Sequence, residues 1–189
     1  VITDDARSAE HAKYVNVYAK QPNYRMKGQR RIDAANDLRG LPSRGSYLDV
    51  GCGRGDMLAE AKALGFDPVH GTEVVPQLID GLRVVRAEAH ALPFPDKSFD
   101  VVTMLDVIEH LIPGDDEAAC RELARVARRH IIVTANNRPS FSKAGADLHI
   151  NKRPYPEWDR LFTNWFAPAS VTWIKGPSRY VSEAWRIDL

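Results

Sequence analysis

Tyr47-Leu48-Asp49-Val50-Gly51-Cys52-Gly53-Arg54-Gly55-Asp56 is the stretch around which the rest of the chain is organised. A short apolar run breaks into three glycines spaced two apart and then into a helical pattern, which reads as a strand, a sharp turn and a helix start. Glycine at 51, 53 and 55 lets the backbone leave the strand at dihedrals a side chain forbids, and it brings bare peptide groups close to a ligand. Phosphate-gripping turns read G-x-G-x-x-G or G-x-x-x-x-G-K-[ST]. Here the third glycine comes one residue early and no Gly-Lys-Ser/Thr follows. The turn therefore suits a nucleoside without a pyrophosphate, although a strand exit can also use glycines with no ligand at all.

The 189 residues are read as one domain, long enough for a five-to-seven-stranded sheet. Lys and Arg total 26 against 25 acids, so a net charge of +1 supplies no field to gather nucleic acid or an anionic membrane. Cys52 and Cys120 are too few and too far apart for a disulfide framework or a metal cluster, which fits a reducing cytoplasm, and no metal is expected. No run approaches the ~20 apolar residues of a membrane helix, and no secretory signal pattern opens the sequence. Neither a membrane nor a nucleic acid is expected as partner, and the oligomeric state is left open.

Leu48-Asp49-Val50-Gly51-Cys52-Gly53-Arg54-Gly55 resembles the first motif of the class I S-adenosylmethionine-dependent methyltransferases, in the subgroup with sequences of the type LDxGCGxG. The resemblance runs over residues 44 to 189 and is strongest from 47 to 111. It implies a Rossmann-like, doubly wound α/β fold with a mostly parallel seven-stranded sheet and a C-terminal antiparallel hairpin. It also implies S-adenosyl-L-methionine as cofactor and S-adenosyl-L-homocysteine as product, with Asp49, Gly51, Cys52 and Gly53 lining the pocket. Residues 1–43 would form an N-terminal helical lid on a cofactor-binding core of residues 44–189. Within that lid a helix runs from Thr3 to about Gln21 and a second from Gln29 to Arg39, the latter with Ile32, Ala35 and Leu38 sharing a face. Tyr14, Tyr18, Tyr24 and Lys27 are candidates to cover the cofactor, or aromatic packing at helical spacing.

After the turn, Asp56 to Leu64 reads as a helix and Pro68 to Thr72 as a second strand. That strand ends at Glu73, eighteen residues beyond Gly55, where a nucleotide-binding sheet places an acid to take both ribose hydroxyls. Val74 would sit against the adenine. A third strand covers about Leu82 to Arg86. Glu88-Ala89-His90-Ala91-Leu92-Pro93-Phe94-Pro95-Asp96-Lys97-Ser98-Phe99-Asp100-Val101-Val102 then resembles the DAxxLPFxDxSFDxV signature of the same subgroup. That likeness puts Glu88 and Ala89 on the adenine edge with His90 beside them; Glu88 departs from the usual Asp.

Phe99 to Leu105 is a near-continuous apolar run, expected of a central parallel strand. Its exit, Leu105-Asp106-Val107-Ile108-Glu109-His110, matches the family's D/S-x-x-E-H pattern near the transferable methyl. Leu105 and Asp106 are read as pocket residues, while Glu109 and His110 could equally fix the turn. Asp115-Asp116-Glu117 opens a helix that closes with Arg125, Arg128 and Arg129, followed by a strand from His130 to Ala135 and the polar loop Asn136-Asn137-Arg138-Pro139, which would face the acceptor. Members of the subgroup carry a histidine shortly before the helix that here starts near Pro154, which makes His149, with His110, a candidate base. His149 could instead cap or bridge a loop. Val171–Lys175 and Tyr180–Ile187, around Gly176-Pro177-Ser178, read as the closing hairpin.

The expected activity is methyl transfer to an oxygen or nitrogen of a small-molecule or sugar-type acceptor. The competing readings are a non-catalytic cofactor-binding regulatory or partner subunit, and a methyltransferase of RNA or protein using a local patch of Arg25, Lys27, Arg30 and Arg31.

Overall fold

The computed structural model describes residues 2–26, 28–79, 83–174 and 182–189. Lys27, Leu82 and residues 175–181, where the turn of the closing hairpin was expected, lie outside the described residues. Helices α1 (Asp4–Lys20) and α2 (Gln29–Arg39) precede β1 (Tyr47–Val50), after which α3 (Asp56–Ala63), β2 (Val69–Glu73), β3 (Val84–Arg86) and β4 (Phe99–Met104) follow. The chain continues through α4 (Asp115–Val126), β5 (Ala127–Ala135), α5 (Tyr155–Trp165), β6 (Ser170–Ile174) and β7 (Glu183–Asp188).

Among the described residues seven strands form one sheet in the order β3-β2-β1-β4-β5-β7-β6. The first five are mutually parallel, and β7 runs antiparallel between β5 and β6, with Trp173 opposite Trp185. The winding reverses between β1 and β4, and in an open sheet of this kind the ligand crevice lies outside the carboxyl ends of the strands at that reversal.

The central strands have no polar face because both faces are covered. Leu48, Val50, Val102, Met104, Ile131 and Val133 pack with Leu123 of α4 and with Trp158 and Phe162 of α5. Tyr47, Val101 and Ile132 pack on the other side with Leu38 of α2 and with Met57 and Ala61 of α3. Alternate residues of each strand thus feed opposite clusters, which fixes the register on both sides. Tyr47 Oη stands 2.6 Å from Thr103 Oγ1, which in turn donates to Asp49 Oδ1 at 2.7 Å. A hydroxyl has one proton, so the tyrosine donates to the threonine and the chain of donors ends on the carboxylate.

Two expectations need correction. Ile32 is 51% exposed; the buried face of α2 is made by Ala34, Ala35 and Leu38. Arg128 and Arg129 belong to β5 and not to the end of α4. Ala127 already pairs with Phe99, a register shift follows between Phe99 and Val101, and both arginines bind the carboxylate of Asp100 on β4. Their charge serves the strand pair and leaves Arg125 as the base at the helix end.

Thr3 caps α1, accepting from the Ala6 amide, and Asp4 and Asp5 fill the first turn where the helix dipole favours acids. Arg7 grips Asp115, the first residue of α4, through Nε and Nη2 at 2.9 and 2.8 Å, which docks α1 over the carboxyl ends of the strands. Among the described residues no helix is long and apolar enough to cross a membrane.

Candidate functional site

A cleft of about 730 Å3 opens at the carboxyl ends of β1, β2 and β4, with α1 forming its outer wall. Asp49, Gly51, Cys52, Gly53, Glu73, Val74, Glu88, Ala89, His90, Leu105, Asp106, His110 and His149 all line it, as do Tyr14, Tyr18 and Tyr24. The sheet explains the convergence: β1 delivers the glycine turn, β2 delivers Glu73, and β4 delivers Leu105 and Asp106 to the same edge.

Gly51 and Gly53 take φ of +74° and +54°, so the turn is built on conformations that side chains rarely adopt. Glu73 fastens it. Its Oε2 accepts from the Gly53 amide at 2.9 Å, and its Oε1 accepts from the amides of Val74 and Val75 at 2.8 and 3.2 Å. Burial pushes this carboxyl above the usual glutamate range, and the three amides pull it back only in part. Asp49 is displaced in the same direction: burial dominates, the Thr103 hydroxyl offsets it, the charge of Glu73 adds to it, and the carboxyl reaches about 7. The floor of the cleft therefore carries two carboxyls that a cation would help to ionise.

Glu88, expected on an adenine edge, is met here by His11 of α1, whose Nε2 lies 3.2 Å from Oε2. Burial raises the Glu88 carboxyl, but His11, His90 and Arg7 together hold it below its ordinary value. Asp106 sits at φ +53°, an uncommon conformation for a side-chain-bearing residue. Its amide donates to Thr134 Oγ1 at 2.7 Å, that hydroxyl donates back to Oδ1 at 2.9 Å, and Arg30 reaches Oδ2 at 3.1 Å.

The structure brings together two histidines that stand 39 positions apart in the chain: the rings of His110 and His149 are 4.8 Å apart, edge to face. His149 Nδ1 lies 2.6 Å from the carbonyl of Arg138. His110 Nδ1 lies 2.7 Å from the carbonyl of Leu148, and Tyr14 Oη reaches both, at 2.6 Å to the nitrogen and 2.9 Å to the carbonyl. A carbonyl only accepts, so this network assigns the proton of each neutral ring to Nδ1 and leaves Nε2 as the lone-pair nitrogen. Burial lowers the His110 imidazole to about 4, against the raising effect of the Leu148 carbonyl, and burial lowers His149 as well. Both rings are neutral near pH 7.

Behind them stands Glu109, wholly buried, with neither carboxylate oxygen hydrogen-bonded. Burial and the charge of Asp106 push its carboxyl far above the ordinary glutamate value; the nearby backbone amides of Glu109 and Asn136, which do not reach hydrogen-bonding geometry, and the charge of Arg30 only partly compensate. Nothing in the local sequence separates this residue from an exposed turn acid. The amide of Asn151 closes the loop by donating to the Glu109 carbonyl at 3.0 Å. Other contributors that the sequence did not single out are His11, Arg7 and Asp115, brought to the cleft wall by the docking of α1. Cys120 is fully buried in α4 and its thiol is pushed up by burial, so it is no nucleophile.

Residues 48–133 match the family profile of a methyltransferase domain. A probable S-adenosylmethionine-dependent methyltransferase of Mycobacterium tuberculosis is 36% identical over 113 residues, which cover 55% of this chain and 40% of that one. A ubiquinone biosynthesis O-methyltransferase of Roseobacter denitrificans is 35% identical over 134 residues, covering 61% of this chain and 53% of its own length. The chain thus spans about two-fifths to half the length of these relatives. Among solved structures, the 1,6-didemethyltoxoflavin-N1-methyltransferase of Burkholderia thailandensis superposes over 100% of this chain and 91% of its own with a TM-score of 0.74, at 17% identity. That likeness is one of fold.

Proposed function

We propose that this chain is a class I S-adenosylmethionine-dependent methyltransferase, whose cleft binds S-adenosylmethionine and passes the methyl group to an oxygen or nitrogen of a small-molecule acceptor. The observation that carries the reading is the single cleft in which the positive-φ glycine turn, Glu73 at the end of β2 and Asp106 at the end of β4 meet. Gly51 and Gly53 would pass beneath the methionine part, Glu73 and Val74 would take the ribose and adenine, and Glu88, Ala89 and His90 would close the adenine end. Residues 1–43 would act as the lid, with Tyr14, Tyr18 and Tyr24 presented by it.

The chemistry asks little of the protein. Bound S-adenosylmethionine would supply a sulfonium methyl for in-line displacement, the acceptor's lone pair taking the carbon and sulfur keeping the electron pair as a neutral thioether. Alignment and exclusion of water supply the catalysis, with His110 and His149 standing where the acceptor's proton has to be dealt with. Both a ubiquinone-pathway relative and the toxoflavin enzyme bear names of small-molecule methyltransferases.

A nucleic-acid acceptor is disfavoured by the fate of the basic patch. Arg25 pairs with Asp56 at 3.6 Å, Arg30 with Asp106 at 3.1 Å and Arg31 with Glu60 at 3.4 Å, so each of these charges already faces an acid of the same chain. The test of the reading is calorimetry with S-adenosylmethionine and S-adenosylhomocysteine, followed by a labelled-methyl screen over hydroxyl and amine metabolites. Absence of binding by both nucleosides to folded protein would overturn it.

Two predictions belong here. Glu73→Ala is expected to weaken cofactor binding by ~1.5–3 kcal/mol, roughly ten- to a hundredfold in Kd, because a charged acceptor is lost and the Gly53 amide is released. An unchanged Kd by calorimetry would remove Glu73 from the site.

The second concerns pH. Asp49 titrates at about 7 in the free protein, and a cationic ligand lowers that value in the complex. Between the two values binding expels a proton, so affinity should rise from pH 5.5 to about 7 and then level off, and Asp49→Asn should flatten the rise. The sign for stability is opposite: a raised carboxyl pKa stabilises the free fold least at high pH, and that contribution is lost as pH climbs from the ordinary aspartate range to about 7. A wild-type Kd that is flat over that interval would mean Asp49 does not sense the ligand.

A further inference from the structure

We propose that Glu109, His110 and His149 form a binding site for one divalent transition-metal ion at the acceptor end of the cleft. Each of the three offers a donor atom, and these atoms all lie within 4.8 Å of one another. Two ligands on one tetrahedral zinc ion stand about 3.4 Å apart, given bonds of ~2.1 Å, so an edge of 4.8 Å has to contract by roughly 1.4 Å on binding. The two rings and the Glu109 carboxyl would close on the ion together.

Three independent features favour a cation over mere packing. Glu109 is fully buried with both carboxylate oxygens lacking any hydrogen-bond partner, an arrangement that forfeits the hydration of the group unless something else takes its lone pairs. Both imidazoles present Nδ1 to backbone carbonyls, of Leu148 and Arg138, the outer contact that orients a metal-binding histidine and keeps its other nitrogen unprotonated. The geometry also leaves room for a substrate: His110 and His149 line the cleft while Glu109 stands behind them, so three protein ligands would sit on the inner side and the remaining positions would face the cavity.

Two imidazoles with one carboxylate select a first-row transition ion of the zinc kind, not magnesium or calcium, which prefer all-oxygen shells. Asp106 adds negative charge to the same end of the cleft. Resting on the methyltransferase reading above, the ion's role would be to hold an acceptor hydroxyl. Coordination lowers the hydroxyl's pKa, its proton leaves to solvent water, and the oxygen then bonds the methyl carbon as the carbon–sulfur bond breaks toward sulfur. A histidine holding a cation through Nε2 does not at the same time take a proton there, so this assignment replaces the general-base role for both rings.

The test is titration of chelator-treated whole chain with Co2+ alone, followed by its visible absorption and by displacement with Zn2+. One equivalent is expected, with a d–d band, and Glu109→Gln and His149→Ala should each weaken Co2+ binding by ~100-fold or more. Circular dichroism shows whether each variant is folded; if Glu109→Gln is not, His149→Ala and His110→Ala carry the comparison. Binding no tighter than that of a folded His110→Ala/His149→Ala double variant, or binding untouched by these substitutions, overturns the site. S-adenosylhomocysteine binding by the chelator-treated chain is measured in parallel. Its failure would strike the cofactor reading and leave the metal result standing on its own.

Discussion

Gly53→Val is expected to abolish measurable S-adenosylmethionine and S-adenosylhomocysteine binding in a chain that still folds. The backbone at this position has φ +54°, a region that costs an ordinary L-residue roughly 1–2 kcal/mol and a β-branched one more. A Cβ placed there would stand 2.6 Å from Tyr18 Oη. The tyrosine can withdraw with α1, but the valine methyls then occupy the floor of the cleft along which the cofactor's methionine part is proposed to run. The amide of the same residue donates to Glu73 Oε2, so any relief of strain by rotation unhooks the acid from the turn. Gly65 provides the control. Its φ of +89° makes a substitution comparably strained, but a Cβ there meets nothing within 4 Å and the residue lies outside the cleft. Gly65→Val should lower the melting temperature and leave Kd unchanged. Calorimetry on both variants separates lost stability from a lost site, and near-normal cofactor affinity in Gly53→Val would remove the glycine turn from the binding surface.

The contrast between those two glycines shows what could be read from sequence. Where a function lies in a run of adjacent residues, local physics suffices: a buried strand, three glycines and a helix start put Asp49, Gly51 and Gly53 on one edge, and Glu73 and Asp106 follow because parallel strands end on the same side. Charge patterns were less informative. Arg128 and Arg129 look like the basic end of a helix, but the ladder with Phe99 and the carboxylate of Asp100 draw them into β5. Pair contacts made by the return of a loop were out of reach. The meeting of His110 with His149 depends on Leu148 donating to the Ser140 carbonyl and Asn151 to that of Glu109, bonds between residues whose types dictate neither. The docking of α1 through Arg7 and His11 onto Asp115 and Glu88 is of the same kind.

His149→Ala should lower turnover ~10²–10⁴-fold while leaving cofactor affinity within about a factor of two. The asymmetry follows from position. His149 belongs to the loop after β5, with its amide on Asp147 Oδ1 and its Nδ1 on the Arg138 carbonyl, and it has no contact with Glu73 or the glycine turn in the hydrogen-bond network described above. Its ring is neutral near pH 7 because burial lowers its pKa, so a lone pair is available to the acceptor end whether a proton or a metal ion takes it. His149→Asn distinguishes that chemistry from simple support. The asparagine amide nitrogen can still donate to the Arg138 carbonyl and hold the loop, but it offers no basic nitrogen. If the residue only braces the loop, the asparagine variant should turn over like the wild type; if its lone pair matters, asparagine should be as impaired as alanine. The measurement is kcat with an acceptor from the labelled-methyl screen beside Kd for S-adenosylhomocysteine. Equal losses in both quantities would assign His149 to the fold and withdraw it from the reaction.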